Sequence, residues 1–535
     1  MKKSAAILAL GALVSQTALA VDLSPAAWPE GDLEKYSDLQ QRAGRSKDLA
    51  EGIDGMVVGT TGPLAVRAGL EALKQGGSAA DAAIATALAQ VTLAAGSWVS
   101  FAGIFTMLYY DAGRRKVRYL NGEFTTLLEE NDPLSIPSSG PSGRTAMVPG
   151  FMAGVEAAHE RYGLLPWESL FEPAIYFAEE GFEIDPDLGG TIEFRRSVLN
   201  RLPETRAIFF KPDGNLYMTG DVFKQPALAE TLRQVAAEGA DYMYIGAWAE
   251  KLVAALAAEG GKMTLEDLAS YRALWKRARK IGYRGHKIWS PGKPGAGGKM
   301  TVNVFRKIKP LDFEAIGHYS ESADSLFELI SATRSIYNFL PPLGTGHSDG
   351  VIVVDSDGNV AAVLHSINTL AWGETGIFVD GVSIPDAAKA QQGRILTAGP
   401  GNRVWSGTNP MIVTRKKDAV IASSAIGNGL FEASVQSLVN IIDFGMDPKQ
   451  AVDAPIYRSP IRSDDPVSEW PTRVTRGDFD NDLIAEVREL GMPIQVMGAL
   501  NFDGVGFWLG ATIDRETGAL AGATVEILNG WAEGF

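Results

Sequence analysis

This sequence predicts an α+β protein in which sheet layers are covered by helices on their outer faces. Three observations carry that expectation. Two apolar runs, Val351-Ile352-Val353-Val354 and 360–366, flank the turn Ser356-Asp357-Gly358-Asn359, and Asp-Gly between such runs is a strong hairpin signal. Further short strand patterns recur at 104–110, 117–120, 286–290, 411–414 and 419–423. Helical patterns, several of them Ala-rich, precede and follow these strands.

Taken in order, Met1-Lys2-Lys3 followed by Ala5-Ala6-Ile7-Leu8-Ala9-Leu10 and Ala18-Leu19-Ala20 predicts a signal peptide over 1–20. Export to a periplasm or to the medium follows from it. Residues 21–54 are polar and charged and read as an N-terminal arm. Met56-Val57-Val58 predicts a strand, and Pro63 opens a helix that Gly76-Gly77 stops. Ser78 with Asp81 predicts a capping box for an Ala-rich helix over 82–91. Helices are expected at 150–162, 166–180, 227–238 and 247–259, with Thr264 capping another. A long helix at 430–444 follows the strands, then a short helical segment at 447–451. Late strands are expected at 504–509 and 523–527.

Composition excludes several function classes. The formal charge is −15, and loss of Lys2 and Lys3 with the leader takes it to −17. An acidic chain with no long basic run argues against nucleic acid and anionic membranes as partners. No other stretch is long and apolar enough to span a bilayer. Cysteine is absent, which removes disulfides, thiol nucleophiles and thiolate metal sites. The five histidines show no metal-binding spacing, so neither a metal nor a cofactor is expected.

Two motifs fail on inspection. Gly346-His347-Ser348-Asp349-Gly350 has the G-x-S-x-G form, but Pro341-Pro342 precede it and a strand follows, the reverse of a nucleophile elbow. Gly292 to Lys299 resembles a phosphate loop, yet Lys293 stands at the first glycine position and Met300 replaces the hydroxyl residue. A bend with close backbone approach is expected there instead.

What remains is an N-terminal nucleophile. Scission between His347 and Ser348 would give Ser348 a free α-amino group, with a reference pKa of about 7.7–8.0. One residue then supplies both nucleophile and base. Ser366 and Asn368 are the expected orienting partners across the hairpin. A two-residue turn would set Ser348 opposite Ile367, and a bulged three-residue turn opposite Ser366 or Asn368. The bulge is expected. Gly427, leading to the helix near Leu430, is a candidate oxyanion donor.

With these residues the chain resembles the γ-glutamyltransferase (γ-glutamyltranspeptidase) family of N-terminal nucleophile (Ntn) hydrolases. The match runs through Gly76-Gly77-Ser78-Ala79-Ala80-Asp81-Ala82-Ala83, Val148-Pro149-Gly150, Gly260-Gly261 with 264–271, and 353–359 with Asn368-Thr369. The resemblance implies a four-layer αββα sandwich and a precursor cleaved into two chains, 21–347 and 348–535. It puts Ser348 at the nucleophile, with Ser366 and Asn368 orienting it. Ser406 and Gly407 fall on a substrate loop, Asp386 near the acid that holds a substrate amine, and Gly427 on an oxyanion glycine. Thr345 is an alternative nucleophile that breaks the spacing to the strand. The substrate so implied is a small-molecule amide or γ-glutamyl compound. Three positions depart from the family pattern. Gly122 stands where its carboxylate-binding arginine belongs, Ile426 replaces one oxyanion glycine, and Asp386 aligns only with a shift. These departures leave two alternatives: an acylase acting on a non-γ-glutamyl amide, and an uncleaved, inactive ligand-binding relative.

Overall fold

The computed structural model describes residues 21–42, 48–338, 348–498, 501, 503–525 and 529–535. The expected leader over 1–20, Thr345 and His347 lie outside the described residues. Two seven-stranded sheets, antiparallel throughout, form the centre. Their strands in chain order are β1 (Ala50–Gly52), β2 (Met56–Gly59), β3 (Ile104–Asp111), β4 (Lys116–Gly122), β5 (Leu274–Arg277), β6 (Arg279–Tyr283) and β7 (His286–Ser290). They continue with β8 (Ser348–Val354), β9 (Val360–Ser366), β10 (Met411–Arg415), β11 (Asp418–Ile426), β12 (Phe507–Ile513), β13 (Leu520–Thr524) and β14 (Trp531–Gly534). The first sheet runs β14-β2-β8-β9-β3-β4-β5, and the second β1-β13-β12-β11-β10-β7-β6.

Strand alternation sorts the side chains into layers. Ile352, Val354, Val360 and Ala362 of the first sheet share one buried cluster with Ile412, Ala422, Leu509 and Ile513 of the second. Their neighbours Val351, Val353, Ala361 and Val363 point the other way, into a cluster with Ala83, Ala87 and Leu88 of the helix Ala79–Leu93. On the far face of the second sheet, Met411, Val413 and Ile421 pack with Phe305, Leu326 and Leu438 from three more helices. Because both faces of the central strands are buried, β8 is apolar from Val351 to Val354 and β9 from Val360 to Leu364.

The helix at 63–74 is found as Pro63–Lys74, with proline at its start. The capping box forms as expected: Ser78 accepts from the N–H of Asp81, and the N–H of Ser78 donates to the Asp81 carboxylate. The described residues of 21–54, expected as an N-terminal arm, pack onto the fold. Leu23, Trp28 and Tyr36 are buried, and the segment carries the helix Asp32–Gln40 and β1. The late strands sit at Phe507–Ile513 and Leu520–Thr524, offset from the expected 504–509 and 523–527. Glycines at 504 and 506 pack against Ser459 and Gly429 as a connecting loop, which is why the strand starts later than its apolar pattern.

Candidate active site

The β8–β9 register pairs Ser348 with Ser366 and Val354 with Val360. It follows from the turn. Gly358 has φ +77° and donates to the Asp355 carbonyl at 2.9 Å, while the N–H of Asp355 donates to the Asn359 carbonyl at 3.1 Å. Three residues therefore close the loop with a glycine bulge, the turn that sets Ser348 opposite Ser366.

At the open end of the hairpin, the Ser348 hydroxyl donates to Ser366 Oγ at 2.9 Å. The backbone N–H of Asn368, a residue at φ +54°, donates to the same oxygen at 3.0 Å. Asn368 thus meets this group through its main chain. Asp386, almost fully buried, anchors the following loop: it accepts the Thr369 hydroxyl at 2.6 Å and the Glu374 N–H at 2.9 Å. Both of its oxygens are engaged within the fold.

Ser366 pairs with Ile104 on β3, and Phe105 pairs with Gly122 on β4. Continuing that register by one residue sets Glu123 opposite Ile104. Ser348, Ser366 and Ile104 therefore form one row on the face turned to the second sheet, and Glu123 follows the end of β4 next to it. Gly122 faces the opposite way. A Cβ there would lie 2.6 Å from the Phe105 carbonyl oxygen and 2.8 Å from that of Gly150, so the backbone leaves no room for a side chain.

Glu123 is fully buried and accepts the Ser406 hydroxyl at 2.6 Å, with the Thr408 hydroxyl at 3.4 Å. Burial raises its carboxyl pKa, and the Ser406 hydroxyl pulls in the opposite direction. Ser406 and Thr408 lie on the loop entering β10, next to Gly407. The Gly292–Lys299 motif backs this loop as a close backbone approach. A Cβ at Gly297 would lie 2.6 Å from the Gly407 carbonyl oxygen, and the Ala296 N–H donates to the Ser406 carbonyl at 3.3 Å.

Gly427 follows β11 at φ +82°, with the Val505 carbonyl oxygen 2.8 Å from where its Cβ would stand. Its neighbour Ile426 packs with Leu364, two residues before Ser366, so Gly427 sits at the same end of the sheets. The helix Leu430–Phe444 begins just beyond, although the N–H of Gly429 is already taken by the Val505 carbonyl at 3.0 Å.

Behind β8 lies a polar cluster to which the sequence reading gave no role. Asp349, fully buried, accepts the Thr60 hydroxyl at 3.1 Å, the Trp98 indole N–H at 3.2 Å and the Thr61 hydroxyl. Burial pushes its carboxyl up to about 6 against these three donors. Across the register, His365 shares a hydrogen bond with Gln90 at 2.8 Å, and burial brings it down to about 3, leaving it neutral. The available signal was the alternation itself, which turns 349 and 365 away from 348 and into the helix layer.

The fold is that of known acylases. Cephalosporin acylase from Bacillus halodurans superposes with a TM-score of 0.79 at 23% identity, over 92% of this chain and 98% of the other. The Gamma-glutamyltranspeptidase family model matches residues 65–338 and 341–502, and the chain belongs to that family of enzymes. It is 28% identical over 476 residues to a glutathione hydrolase proenzyme of Pseudomonas sp. (strain A14), covering 76% of this chain and 81% of that protein. It is likewise 27% identical over 477 residues to the acylase ACY 1 proenzyme of Pseudomonas sp. (strain SE83), covering 76% and 83%. Among the described residues no helix is long and apolar enough to cross a membrane.

Proposed function

We propose that this protein is a self-cleaving amide hydrolase or acyltransferase of the Ntn type, with Ser348 as its nucleophile. The observation that carries the reading is the 2.9 Å bond from Ser348 Oγ to Ser366 Oγ at the open end of a register-locked hairpin. Scission of the His347–Ser348 bond yields chains 21–347 and 348–535, which stay packed as one four-layer αββα sandwich. The clusters on the two faces of each sheet, and relatives that are proenzymes by name, support this. The leader over 1–20 exports the precursor to the periplasm or medium.

In the reaction, Ser348 Oγ attacks the amide carbonyl carbon while its proton passes to the Ser348 α-amine. The N–H of Gly427 and the N-terminus of the following helix stabilise the oxyanion. The C–N bond then breaks, and the leaving amine takes the proton. Water or an acceptor amine attacks the acyl-Ser348 ester and restores the enzyme. Ser406 and Gly407 bind the acyl half of a γ-glutamyl or related small-molecule amide, as the glutathione hydrolase relative suggests, while Asp386 supports the site through the loop it anchors. A second reading, an acylase acting on other amides, is favoured by the closed backbone at Gly122, which leaves no arginine where γ-glutamyl recognition expects one.

Intact mass and N-terminal sequencing of purified protein test the proposal. Two chains are expected, the smaller beginning at Ser348, and Ser348→Ala should remain one chain without p-nitroanilidase activity. A wild-type protein that stays full length and inactive would identify an uncleaved ligand-binding relative. A small chain beginning at Thr345 would transfer the role to that residue.

A further inference from the structure

We infer that Arg394 binds a carboxylate on the acyl half of the substrate and so sets the enzyme's preference for anionic acyl groups. This rests on the Ser348 reading above and names the substrate class that site would take. Arg394 belongs to the helix Gln392–Ala398. Its guanidinium lies over the Trp405 ring, 4.3 Å from the centroid, and Trp405 directly precedes Ser406. Stacking on an aromatic face is a geometry that the planar guanidinium suits and lysine does not.

Arg394 has no counter-ion among the described residues, and it stands beside the loop that carries Ser406. Several other arginines are held more firmly: Arg67 by Asp32 and Glu71, Arg144 by Glu130, Arg403 by the carbonyls of Glu123 and Arg272. Arg394 has one long contact, 3.4 Å to the Gln391 side-chain oxygen, and no carboxylate within ion-pair distance among the described residues. Burial presses its pKa down to about 10, partly opposed by the field of Glu123, so it is still a cation at neutral pH. A part-buried guanidinium with free donors is incomplete until an anion meets it.

Its helix packs beside the strand row that holds Ser366. The adjacent Ile395 packs with Phe124, Val404 and Ile104, and Ile104 is the register partner of Ser366. Ser348 and Ile104 are two strand spacings apart, roughly 10 Å, a gap that a short acyl chain and an arginine side chain bridge together. The neighbouring Glu123 carboxyl disfavours a doubly charged phosphate, whereas a singly charged carboxylate matches the guanidinium fork. The charge missing at Gly122, where the backbone admits no side chain, is thus supplied from another element.

The test compares γ-glutamyl-, glutaryl- and butyryl-p-nitroanilide on mature wild type and on Arg394→Gln, Arg394→Ala and Arg394→Lys. Appearance of the Ser348 amino terminus confirms that each variant has folded. For Arg394→Gln, the kcat/KM ratio of glutaryl over butyryl substrate should fall at least tenfold, mainly through KM, with Arg394→Lys intermediate. Equal losses on all three substrates, or none, would overturn the assignment. A γ-glutamyl loss without a glutaryl loss would overturn it too, since both carry the carboxylate. Calorimetric titration of the wild type with glutarate and neutral glutaramide reads the site without turnover. Glutarate binding that disappears in Arg394→Gln supports the inference, and binding absent or insensitive to the substitution refutes it. Activity on the butyryl substrate with no preference for anionic groups would defeat this inference while leaving the Ser348 mechanism standing.

Discussion

Replacing Ser366 by alanine is the most direct perturbation of the proposed nucleophile. Ser366 is buried, and its Oγ receives the Ser348 hydroxyl at 2.9 Å and the Asn368 N–H at 3.0 Å. If the bond did no more than select one of three χ1 rotamers for Ser348, its loss would cost about 0.7 kcal/mol, a threefold fall in rate. The hydroxyl also fixes the direction in which Ser348 presents its proton to the α-amine. Misdirecting such a transfer costs on the order of 10²-fold. The expected outcome for Ser366→Ala is therefore a kcat lower by roughly 10²-fold, with slower scission, and near-normal behaviour for Ser366→Thr, which keeps an oxygen on Cβ. Orphaning the Asn368 N–H should also cost about 1–3 kcal/mol of stability. Scission is followed by intact mass, turnover by p-nitroanilide release from fully cleaved enzyme, and stability by thermal melting. A fully cleaved Ser366→Ala enzyme with kcat within threefold of wild type would show that this hydroxyl does not direct the nucleophile.

Three further outcomes follow from the surrounding geometry. Asp349 titrates near 6 in the fold against an ordinary 3.8, so between these values the native state holds a proton that the unfolded chain has lost. Its contribution is therefore fully present below about pH 4 and is lost as pH rises through 6, by up to about 3 kcal/mol. The melting-temperature gap between wild type and Asp349→Asn should shift against wild type from pH 4 to pH 7, and a constant gap would refute the assignment. Gly122→Ala drives a Cβ against two carbonyl oxygens and should destabilise by at least about 1–3 kcal/mol in thermal melts, while Gly122→Arg should not lower KM for γ-glutamyl substrates. Glu123→Ala strips the Ser406 hydroxyl of its acceptor and should raise KM about tenfold, as expected for about 1–1.5 kcal/mol of lost positioning, whereas Glu123→Gln keeps an acceptor oxygen and should do less. Equal KM changes for the two variants would argue that charge, not the hydrogen bond, is what Glu123 supplies.

The hairpin was legible because its determinants are local. Asp355 to Asn359 encode the bulged turn, and the turn dictates which residue faces Ser348. The caps at Ser78 and Thr264 were legible for the same reason, since a capping box is completed within four residues. What stayed hidden depends on partners far along the chain. Glu123 gains its meaning from Ser406, 283 positions away, and Asp349 from Thr60, Thr61 and Trp98. The segment 21–54 read as an arm because its polar residues dominate the composition, while the few side chains that anchor it, Trp28 and Tyr36 among them, are too sparse to show a period.

Alternation also changes what the departure at 122 means. Taken as a string, glycine in place of arginine looks like the loss of a substrate contact. In the sheet, position 122 pairs with Phe105 and faces the helix layer, and its Cβ space is occupied by backbone. The next residue, Glu123, leaves the end of β4 and bonds Ser406. Beside the row that begins at Ser348, among the described residues, stand Ser406, bonded to Glu123, and Arg394, stacked on Trp405. On the inference drawn for Arg394, recognition passes from the strand to the helix Gln392–Ala398, and a search for substrate specificity should begin with residues 394 and 405–408 rather than with position 122.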